Sequence, residues 1–574
     1  MIDLDNKELQ QALQIIQFTN RSLFLTGKAG TGKSTFLRHI CDNTKKKHVI
    51  LAPTGISAIN AGGSTLHSFF KLPFHPLLPN DTRYSPRNIR NTLKYNSEKR
   101  KILREVELIV IDEISMVRAD IIDFIDKVLR IYSRNMREPF GGKQLLLVGD
   151  VYQLEPVIKE DERRMLHPFY PTTFFFGARV FRQMRLVSIE LHKVYRQTDT
   201  TFINILDHIR TSDVSEADLK ILNSRVGNTL TADGNSLAIT LSTRRDTVDY
   251  INERRLSQLE GEPTVLHGEV KGDFPEGSLP TPMGLEVKVG AQIMFIKNDM
   301  DRRWVNGTLG VIEGIDEEYG FIYVITEDGN EYDVCRERWS NMKYTYNEKE
   351  QKIEEEEIGS FIQYPIRLAW AITVHKSQGL TFKRVNIDFT GGVFAGGQAY
   401  VALSRCTSLE GISLQTPVRH DDVFVRQEIR QFAKTYNDHT VITGALKESK
   451  ADKEYYDAAK AFDKGDFDAF LANFFKAIHD RYDIEKPAAQ RLIRRKLNVI
   501  NTLKDENRRL TKEMAKQKSF LKKLAVEYIL LGKECEQENM PEAAAANYRK
   551  ALELCPDAPE TQRRLKKIEG KLKK

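Results

Sequence analysis

Residues 22–37 read SLFLTGKAGTGKSTFL, from Ser22 to Leu37. An apolar run leads into a glycine-rich loop, and a helix-forming stretch follows that loop. In such a unit the glycines let backbone N–H groups wrap around phosphates, and the positive end of the helix adds to the attraction. A lysine and a serine follow the last glycine directly, which excludes a dinucleotide-binding loop. The stretch therefore predicts an α/β fold with a P-loop that binds a nucleoside triphosphate.

The expected contacts to ATP and Mg²⁺ follow from this loop. Lys33 reaches the β- and γ-phosphates, and Ser34 ligates Mg²⁺. The remaining expected ATP contacts are Gly27, Lys28, Ala29, Gly30, Thr31, Gly32 and Thr35.

Other polar residues are candidates for the chemistry of hydrolysis. The buried strand LIVI ends in Asp112 and Glu113, where one carboxylate lies near Mg²⁺ and the second can activate the attacking water. Gln153 follows another apolar strand and suits a sensor of the γ-phosphate, although by chemistry alone a structural role fits equally. Hydrolysis also needs positive charge beyond one lysine. Arg196 and Arg405 are candidates, and either is equally compatible with a surface position.

Composition limits the class of protein. A chain of 574 residues is too long for one hydrophobic core and predicts roughly three to five domains. No apolar run approaches the roughly 18 residues that span a bilayer, so we expect no membrane segment. The acidic, amphipathic start lacks the features of a secretory signal or transit peptide, which favours a cytoplasmic, intracellular protein.

Strand and helix patterns divide the chain into regions. Apolar strands alternate with helix-length segments from residue 22 to about 260 and return near 384–416, which indicates two α/β units. Between 285 and 365 short strands and tight turns predict a small β insertion, with an Asp328-Gly329 hairpin turn. The acidic run Glu354–Glu357 is typical of a solvated loop.

The region beyond residue 440 has a helical pattern. Ile493, Ile500, Met514 and Leu521 recur every seven residues with Asn507 in the same series, which predicts a long amphipathic helix that either coils with a copy or packs in an array. Small and large residues from Leu531 to Pro556 match a tetratricopeptide repeat. This part holds the basic excess, because residues 451–574 contain 28 of the 87 Lys and Arg but 21 of the 80 Asp and Glu.

Together the ordered motifs resemble superfamily 1B DNA helicases of the RecD-like branch, and the petite-integration-frequency (PIF) type most closely. The resemblance covers about residues 4–418. It rests on the P-loop and on APTGISAINAGGSTLHSFF (52–70), Asp112-Glu113, GDVYQLEPV (149–157), KVYRQ (193–197), AITVHKSQGLTF (371–382) and AYVALSRC (399–406).

The resemblance implies a domain plan and roles for the candidate residues. Domain 1A, RecA-like, spans 1–185 with a small 1B wedge at about 71–100; domain 2A spans 186–440 with an SH3-like 2B insertion at about 300–362; residues 441–574 form the helical, tetratricopeptide-like region. ATP binds between 1A and 2A, with Gln10 reading adenine and with Arg196 and Arg405 as arginine fingers. Translocation on single-stranded DNA is expected to run 5′→3′.

Single strands are held by backbone contacts and base stacking. The family motifs place candidate DNA contacts in two segments of this chain. They are Pro53, Thr54, Gly55, Thr65, His67 and Phe69 in the first and Thr373, His375, Lys376 and Ser377 in the second. Since residues 1–450 carry no net charge, DNA must be bound in a local groove. Junctions between single- and double-stranded DNA are expected substrates, with roles in DNA repair and recombination.

Two other functions fit part of the sequence. A nucleotide-gated remodeller or switch, whose helical tail binds a protein partner, needs only the P-loop and the acidic pair. An adaptor with a vestigial motor is disfavoured because each motif position holds a chemically competent residue. The tail itself is interpreted either as a nucleic-acid surface or, preferably, as a groove for a partner protein.

Overall fold

The computed structural model describes residues 3, 5–73, 75–184, 186–195, 199–228, 237–301, 303–347, 352–481 and 487–572. Two compact units divide the chain, Met1–Asp480 and Arg481–Lys574. The expected combination of an α/β core with an all-helical C-terminal region is confirmed.

A parallel six-stranded sheet forms the first half of the α/β core, in the order β3-β2-β4-β5-β1-β6. The strands are β1 (Leu23–Gly27), β2 (His48–Ala52), β3 (Ser64–Thr65), β4 (Leu108–Ile111), β5 (Gln144–Val148) and β6 (Val187–Leu191). Residues of β1, β4 and β5 are buried throughout, as expected for parallel strands covered on both faces. Because carboxyl ends of parallel strands meet at one edge, the loops after these three strands lie side by side.

Helices cover both faces of this sheet. They are α1 (Lys7–Phe18), α2 (Lys33–Asn43), α3 (Gly55–Ala61), α4 (Leu66–Phe70), α5 (Ile89–Leu93), α6 (Ser97–Glu105), α7 (Ala119–Tyr132) and α8 (Glu160–Leu166). Short 3-10 helices connect elements at Thr82–Tyr84, Ile114–Met116, Pro139–Gly142, Phe175–Gly177, Arg179–Arg182, Glu276–Ser278 and His420–Asp422.

The remaining strands form a second α/β core and a β insertion. They are β7 (Ile239–Ser242), β8 (Thr264–His267), β9 (Glu269–Gly272), β10 (Gly284–Val287), β11 (Gln292–Phe295), β12 (Leu309–Asp316), β13 (Phe321–Thr326), β14 (Glu331–Val334), β15 (Glu337–Asn347), β16 (Lys352–Gln363), β17 (Ile366–Leu368), β18 (Ala371–Thr373), β19 (Val385–Asp388) and β20 (Ile412–Leu414). The second core is a parallel sheet in the order β18-β7-β19-β20. The insertion contains the sheet β14-β13-β12-β11-β17, in which β13 and β14 form the expected hairpin.

A long hairpin arm of β15 and β16 extends from the insertion to the first α/β core. The backbone N–H of Ile50 donates to the Tyr344 hydroxyl at 2.9 Å, and the Lys343 ammonium lies 2.8 Å from the Glu98 carboxylate. The expectation of a solvated loop at Glu354–Glu357 is wrong, because these residues belong to β16 and pair with β15. Strand pairing satisfies their backbone groups. The side chains of Glu354, Glu356 and Glu357 are exposed, so the expected contact with solvent holds although the expected loop does not.

Helices from residue 200 to 480 complete the larger unit. They are α9 (Thr200–Thr211), α10 (Glu216–Asn223), α11 (Arg245–Ser257), α12 (Gln398–Leu403), α13 (Gln427–Ala433), α14 (His439–Lys464) and α15 (Phe467–Asp480).

Three expected domain boundaries move. Strand β6, at Val187–Leu191, pairs with β1, so the first α/β core extends past residue 185. The sheet of the insertion begins at Gln292 and ends at Leu368, outside the expected 300–362. Ile442 and Ala445 of α14 are buried in the first core, so the separate helical unit starts at Arg481 and not at 441. In each case a strand or helix beyond the expected limit belongs to the neighbouring core. Strand β6 pairs with β1, β17 pairs with β11, and α14 buries apolar side chains against the first sheet.

The smaller unit consists of α16 (Pro487–Gln537), α17 (Pro541–Leu554) and α18 (Pro559–Leu572). Ala544, Tyr548 and Ile568 are buried where the end of α16 packs with α17 and α18. Gly532 permits this approach, because a Cβ at this position would lie 2.7 Å from the Tyr548 ring. Assignment of this helical array to the tetratricopeptide class stays a prediction. Among the residues described in both units, no helix combines the length and apolarity that crossing a bilayer requires.

The close contact at Gly532 yields a stability test. We expect Gly532→Ala to destabilise the C-terminal helices relative to Gly570→Ala, because only the first methyl group meets a ring. Both substitutions replace glycine by alanine within a helix and so raise helix propensity in the same way. The difference between their effects on the free energy of unfolding therefore isolates overpacking, which costs about 1–3 kcal/mol. Thermal unfolding monitored by circular dichroism measures it, and equal effects of the two substitutions would contradict the packing described.

Candidate functional site

The P-loop lies between β1 and α2, at the carboxyl edge of the first sheet. Gly30 and Gly32 adopt left-handed backbone conformations, with φ of 80° and 85°. A side chain at Gly27 would place its Cβ 2.7 Å from the carbonyl oxygen of Leu191 on β6. Glycine at these positions therefore follows from the backbone path, which turns sharply to leave loop N–H groups and the N-terminus of α2 around one space.

Lys33 is the first residue of α2, and its side chain folds over the loop. Its ammonium donates to the carbonyl oxygens of Gly27 at 2.7 Å and Lys28 at 2.9 Å. The charge is thereby held in the middle of the loop, beside Ser34 and Thr35. This arrangement fits a group that contacts the outer phosphates of a nucleotide.

Asp112 and Glu113 follow β4 at the same edge. The Asp112 carboxylate accepts the N–H of Glu113 at 2.9 Å, and Glu113 holds a left-handed backbone conformation with φ of 50°. Desolvation raises the pKa of Asp112. Desolvation and then the neighbouring Asp112 raise the pKa of Glu113 to about 7, while Lys33 and Arg405 act in the opposite direction. A carboxyl group that titrates near neutrality suits proton exchange with water.

Gln153 follows β5, the strand between β1 and β4. Its side chain is buried and is joined to the second core through Gln378, a residue of the HKSQG segment. The Gln378 amide donates to the Glu113 carboxylate at 2.7 Å and to the Gln153 side-chain oxygen at 3.3 Å. The sequence string contained Gln378, yet its contact with the acidic pair was not anticipated.

Arg405 forms part of the opposite wall and is fully buried. Its guanidinium donates to the carbonyl oxygens of Val401 at 2.9 Å and Leu380 at 3.2 Å, and to the Ser404 hydroxyl at 2.9 Å. Tyr400, one turn earlier in α12, accepts the P-loop N–H of Ala29 at 3.0 Å. Tyr400 was missed by sequence reasoning, although it lies in the string that identified Arg405.

Arg196, the other expected finger, lies outside the described residues. Its predecessor Tyr195 donates its backbone N–H to the Gly30 carbonyl at 2.8 Å and its hydroxyl to Asp3 at 2.8 Å. The KVYRQ segment therefore begins directly beside the P-loop.

These groups enclose a cavity of about 530 Å³. Its lining is Asp3, Leu9, Ala29, Gly30, Thr31, Gly32, Lys33, Ser34, Thr35, Asp112, Glu113, Gly149, Gln153, Tyr195, Gly379 and Arg405. The volume falls within the range of nucleotide-sized sites. Gln10 does not line the cavity: the wall contributed by α1 is Leu9, and Gln10 is exposed one residue further on.

A buried ion cluster joins the two α/β cores. Arg210 of α9 lies 3.0 Å from Asp150, which follows β5, and 2.9 Å from Glu190 of β6. Its guanidinium also lies over the Tyr152 ring, 4.4 Å from the centroid. Removing one partner of a buried pair leaves an uncompensated charge. This cluster has no sequence signature, since the partners of Arg210 are 60 and 20 residues away and only Asp150 lies in one of the motifs.

A second, narrower cavity of about 50 Å³ lies between α3, the β insertion and the second core. Ile56, Ile59 and Asn60 of α3 face Lys376 and Gln378 across it. The expected DNA contacts Pro53, Thr54 and Gly55 lead into α3, and Thr54 caps that helix by accepting the Ser57 N–H at 3.2 Å. Thr373 accepts the N–H of Lys376 at 3.3 Å. The structure thus brings parts of both expected DNA-binding segments to one groove.

Several expected DNA contacts lie elsewhere. Phe69 as a base-stacking residue is wrong: it is 3% exposed and packs on Tyr344, with the Lys99 ammonium 3.2 Å from its ring centroid. Ser377 is buried and donates its hydroxyl to the Val374 carbonyl at 2.8 Å. Because both side chains are buried and already packed or hydrogen-bonded within the protein, they are not accessible to DNA.

Thr65, His67 and His375 are partly buried and do not line the groove. Thr65 caps α4 by accepting the Ser68 N–H at 3.1 Å. Burial lowers the pKa of both His67 and His375. Both imidazoles therefore favour the neutral state, which weakens their attraction for phosphates.

Comparison with known proteins gives consistent matches over the larger unit. A model of the PIF1-like helicase family matches residues 3–220. The chain is 35% identical over 419 residues to the ATP-dependent DNA helicase PIF1 of Rattus norvegicus, covering 71% of this chain and 60% of that protein. The chain therefore spans about 60% of the length of the curated relatives it matches first.

Solved structures match over nearly their whole length. Pif1 from Bacteroides sp in complex with ADP-AlF4 is 39% identical, with a TM-score of 0.69, and the match covers 75% of this chain and 97% of that chain. Bacteroides Pif1 bound to ssDNA is also 39% identical, with a TM-score of 0.56 and coverage of 77% and 98%.

The raised pKa of Glu113 predicts a pH-dependent effect of its replacement. Between the unfolded value of about 4.5 and the folded value of about 7, the folded protein binds more protons, so its stability falls as pH rises. We expect Glu113→Gln to be more stable than the unchanged protein at about pH 8, by on the order of 1–2 kcal/mol, and to be equally stable only near pH 4, below the unfolded pKa. Differential scanning calorimetry across this range measures the effect.

The same substitution tests the chemical role of Glu113. ATP hydrolysis should fall by about 10²–10⁴-fold, the usual contribution of a general base. Asp388→Asn, a carboxylate outside the cavity, serves as the matched control. Full activity of Glu113→Gln, or a stability difference that is independent of pH, would refute this assignment.

Proposed function

This chain belongs to the PIF1-like helicase family, and we propose that it is an ATP-dependent DNA helicase that translocates on single-stranded DNA. The observation that carries the proposal is the position of the HKSQG segment. Its Gln378 contacts Glu113 beside the nucleotide-sized cavity and also lines the groove formed with α3. A change at one site is therefore communicated to the other through a single side chain.

ATP is the proposed substrate of the larger cavity. Lys33 and the loop N–H groups bind the phosphates, and Arg405 approaches from the second core. Glu113 in its carboxylate form accepts a proton from the attacking water, while Gln153 orients that water. Arg196 remains the second proposed finger, because it directly follows Tyr195 of the cavity lining.

Ser34 and Asp112 are the residues proposed to hold Mg²⁺. Both line the cavity, and a hydroxyl with a carboxylate is an oxygen ligand set that this ion prefers. When bound, Mg²⁺ supplies positive charge to the β- and γ-phosphate oxygens. Gln10 is still proposed to read the base, from the helix turn that carries Leu9.

The two α/β cores are proposed as the RecA-like domains 1A and 2A. Because catalytic groups lie on both cores, hydrolysis of ATP requires that the cores approach each other. Release of the hydrolysis products then lets the cores separate again. Because the groove lies between the same cores, each cycle changes the spacing of its two walls. Lys376 is exposed on one wall, and the partly buried Thr54 and Gly55 begin α3 on the other, so both segments are proposed to contact phosphates regardless of sequence.

Family membership also motivates the finer parts of the proposal. Translocation is proposed to run 5′→3′. The proposed substrates are junctions of single- and double-stranded DNA, which the protein would unwind inside the cell during DNA repair or recombination. Residues 71–100 are proposed as the 1B wedge. Leu77 of this segment is anchored, since its N–H donates to the buried Asp120 carboxylate at 2.9 Å. A protein partner is proposed for the C-terminal helices.

An unwinding assay with forked duplexes tests activity, substrate and polarity together. We expect ATP-dependent strand separation from a duplex with a 5′ single-stranded tail and little from one with a 3′ tail alone. Lys33→Ala should lose ATP hydrolysis and unwinding, because the phosphates lose their central charge, yet retain measurable binding of single-stranded DNA.

Lys434→Ala, a lysine outside both cavities, serves as the matched control. ATP hydrolysis that single-stranded DNA does not stimulate would favour a nucleotide-gated remodeller over a helicase. Undiminished turnover by Lys33→Ala would overturn the assignment of the site itself.

A further inference from the structure

Helix α16 has a long stretch that packs against no other element. It spans 51 residues, and among the side chains that the structure describes along it the first buried one is Ala525, where the helix meets α17. Every residue from Asn501 to Lys523 is exposed. These 23 positions extend about 35 Å at 1.5 Å per residue. A helix segment that gains nothing from packing is only marginally stable by itself.

One face of this exposed segment is apolar. Leu503, Leu510 and Met514 are 59%, 54% and 69% exposed. With Ile500, Leu521 and Leu524 they hold six of the eight positions from 500 to 524 that alternate in a seven-residue repeat, usually named a and d, and form the seam of a coiled coil. The other two positions hold Asn507 and Gln517. Side chains of this size normally become buried, and each contributes about 1.5–3 kcal/mol when it does.

The opposite face is basic. Arg508, Arg509, Lys516, Lys522 and Lys523 occupy the positions b and c, which point away from the seam on a helix of 3.6 residues per turn. When the apolar seam is covered, these charges therefore stay in water and pay no free energy of desolvation.

We infer that residues 500–524 form a parallel, in-register coiled coil with the same residues of a second copy of this chain. Asn507 points to this occupant. It takes the a position between Ile500 and Met514, where an apolar side chain would give greater affinity. In a parallel pair the two Asn507 amides meet across the symmetry axis and hydrogen-bond, which fixes both register and two-strand stoichiometry.

Charges beside the seam select the same arrangement. Glu513 lies at position g and Lys518 at position e, and in a parallel pair Glu513 of one copy faces Lys518 of the other. An antiparallel pair would place position g against g and e against e. Glu506 or Glu513 would then face a glutamate, and Lys504 would face Lys518 or an uncharged residue. Complementary charges thus favour the parallel homodimer.

The test is sedimentation equilibrium of the full chain over a range of concentrations. We expect a monomer–dimer equilibrium, and Leu503→Glu with Leu510→Glu should raise the dissociation constant at least about 100-fold. Both positions are exposed in the single chain, and glutamate favours helix, so folding is preserved. Thr502→Glu with Ser519→Glu adds the same charge outside the seam and should leave the dimer intact.

A charge exchange tests direction and register. Glu513→Lys alone should weaken the dimer roughly fivefold, because it sets lysine against lysine, and adding Lys518→Glu should restore the original constant. Glu513→Lys also removes the contact with Arg509, which lies 3.8 Å away in the same helix. The single and double variants share that loss, so the difference between their two dissociation constants isolates the effect of residue 518.

Three outcomes would overturn the inference. They are a monomer at all concentrations, a dimer that is indifferent to the seam substitutions, and a charge exchange without rescue. If the seam variants instead lose salt-dependent affinity for single-stranded DNA while their mass is unchanged, the segment is a nucleic-acid surface and the homodimer is refuted.

Discussion

The hydrogen bonds of one amide connect the chemistry of this molecule to its proposed movement. Gln378 donates to Glu113 at 2.7 Å and to Gln153 at 3.3 Å, and these acceptors follow different strands of the first sheet. An uncharged donor of fixed reach can make both bonds only when the two α/β cores are at one separation. Glu113, the proposed general base, and the segment that lines the groove are therefore sensitive to the same displacement.

Buried charges hold the cores in the position that this contact needs. Arg210 of the second core lies between Asp150 and Glu190 of the first. Breaking such a pair costs several kcal/mol when one partner is left alone. Tyr400 and Tyr195 add direct hydrogen bonds to the P-loop. The lining of the nucleotide cavity thus depends on both cores, and its acidic residues are desolvated by that enclosure.

Sequence patterns predicted the elements with strong local signals. The P-loop, the acidic strand end and the β13–β14 hairpin depend on glycines and apolar runs that are adjacent in the chain. The hairpin arm was missed because acidic residues conceal a strand whose partner, β15, is itself polar. Phe69 and Ser377 were placed in the DNA site because motif membership does not reveal burial. Gln378 and Tyr400 act through contacts between segments more than two hundred residues apart. Arg210 pairs with acids 60 and 20 residues away that follow or lie in other strands, which no local pattern reveals.

Coupling through Gln378 is tested most directly by the stimulation of ATP hydrolysis by single-stranded DNA. The quantity is the ratio of rates at saturating ATP with and without saturating DNA, compared between the unchanged protein, Gln378→Ala and Asn306→Ala. Asn306 lines the same groove and lies 3.4 Å from Asn60, but it is not a partner of Glu113. The account predicts that the ratio approaches one in Gln378→Ala and is retained in Asn306→Ala. Full stimulation of Gln378→Ala would contradict it.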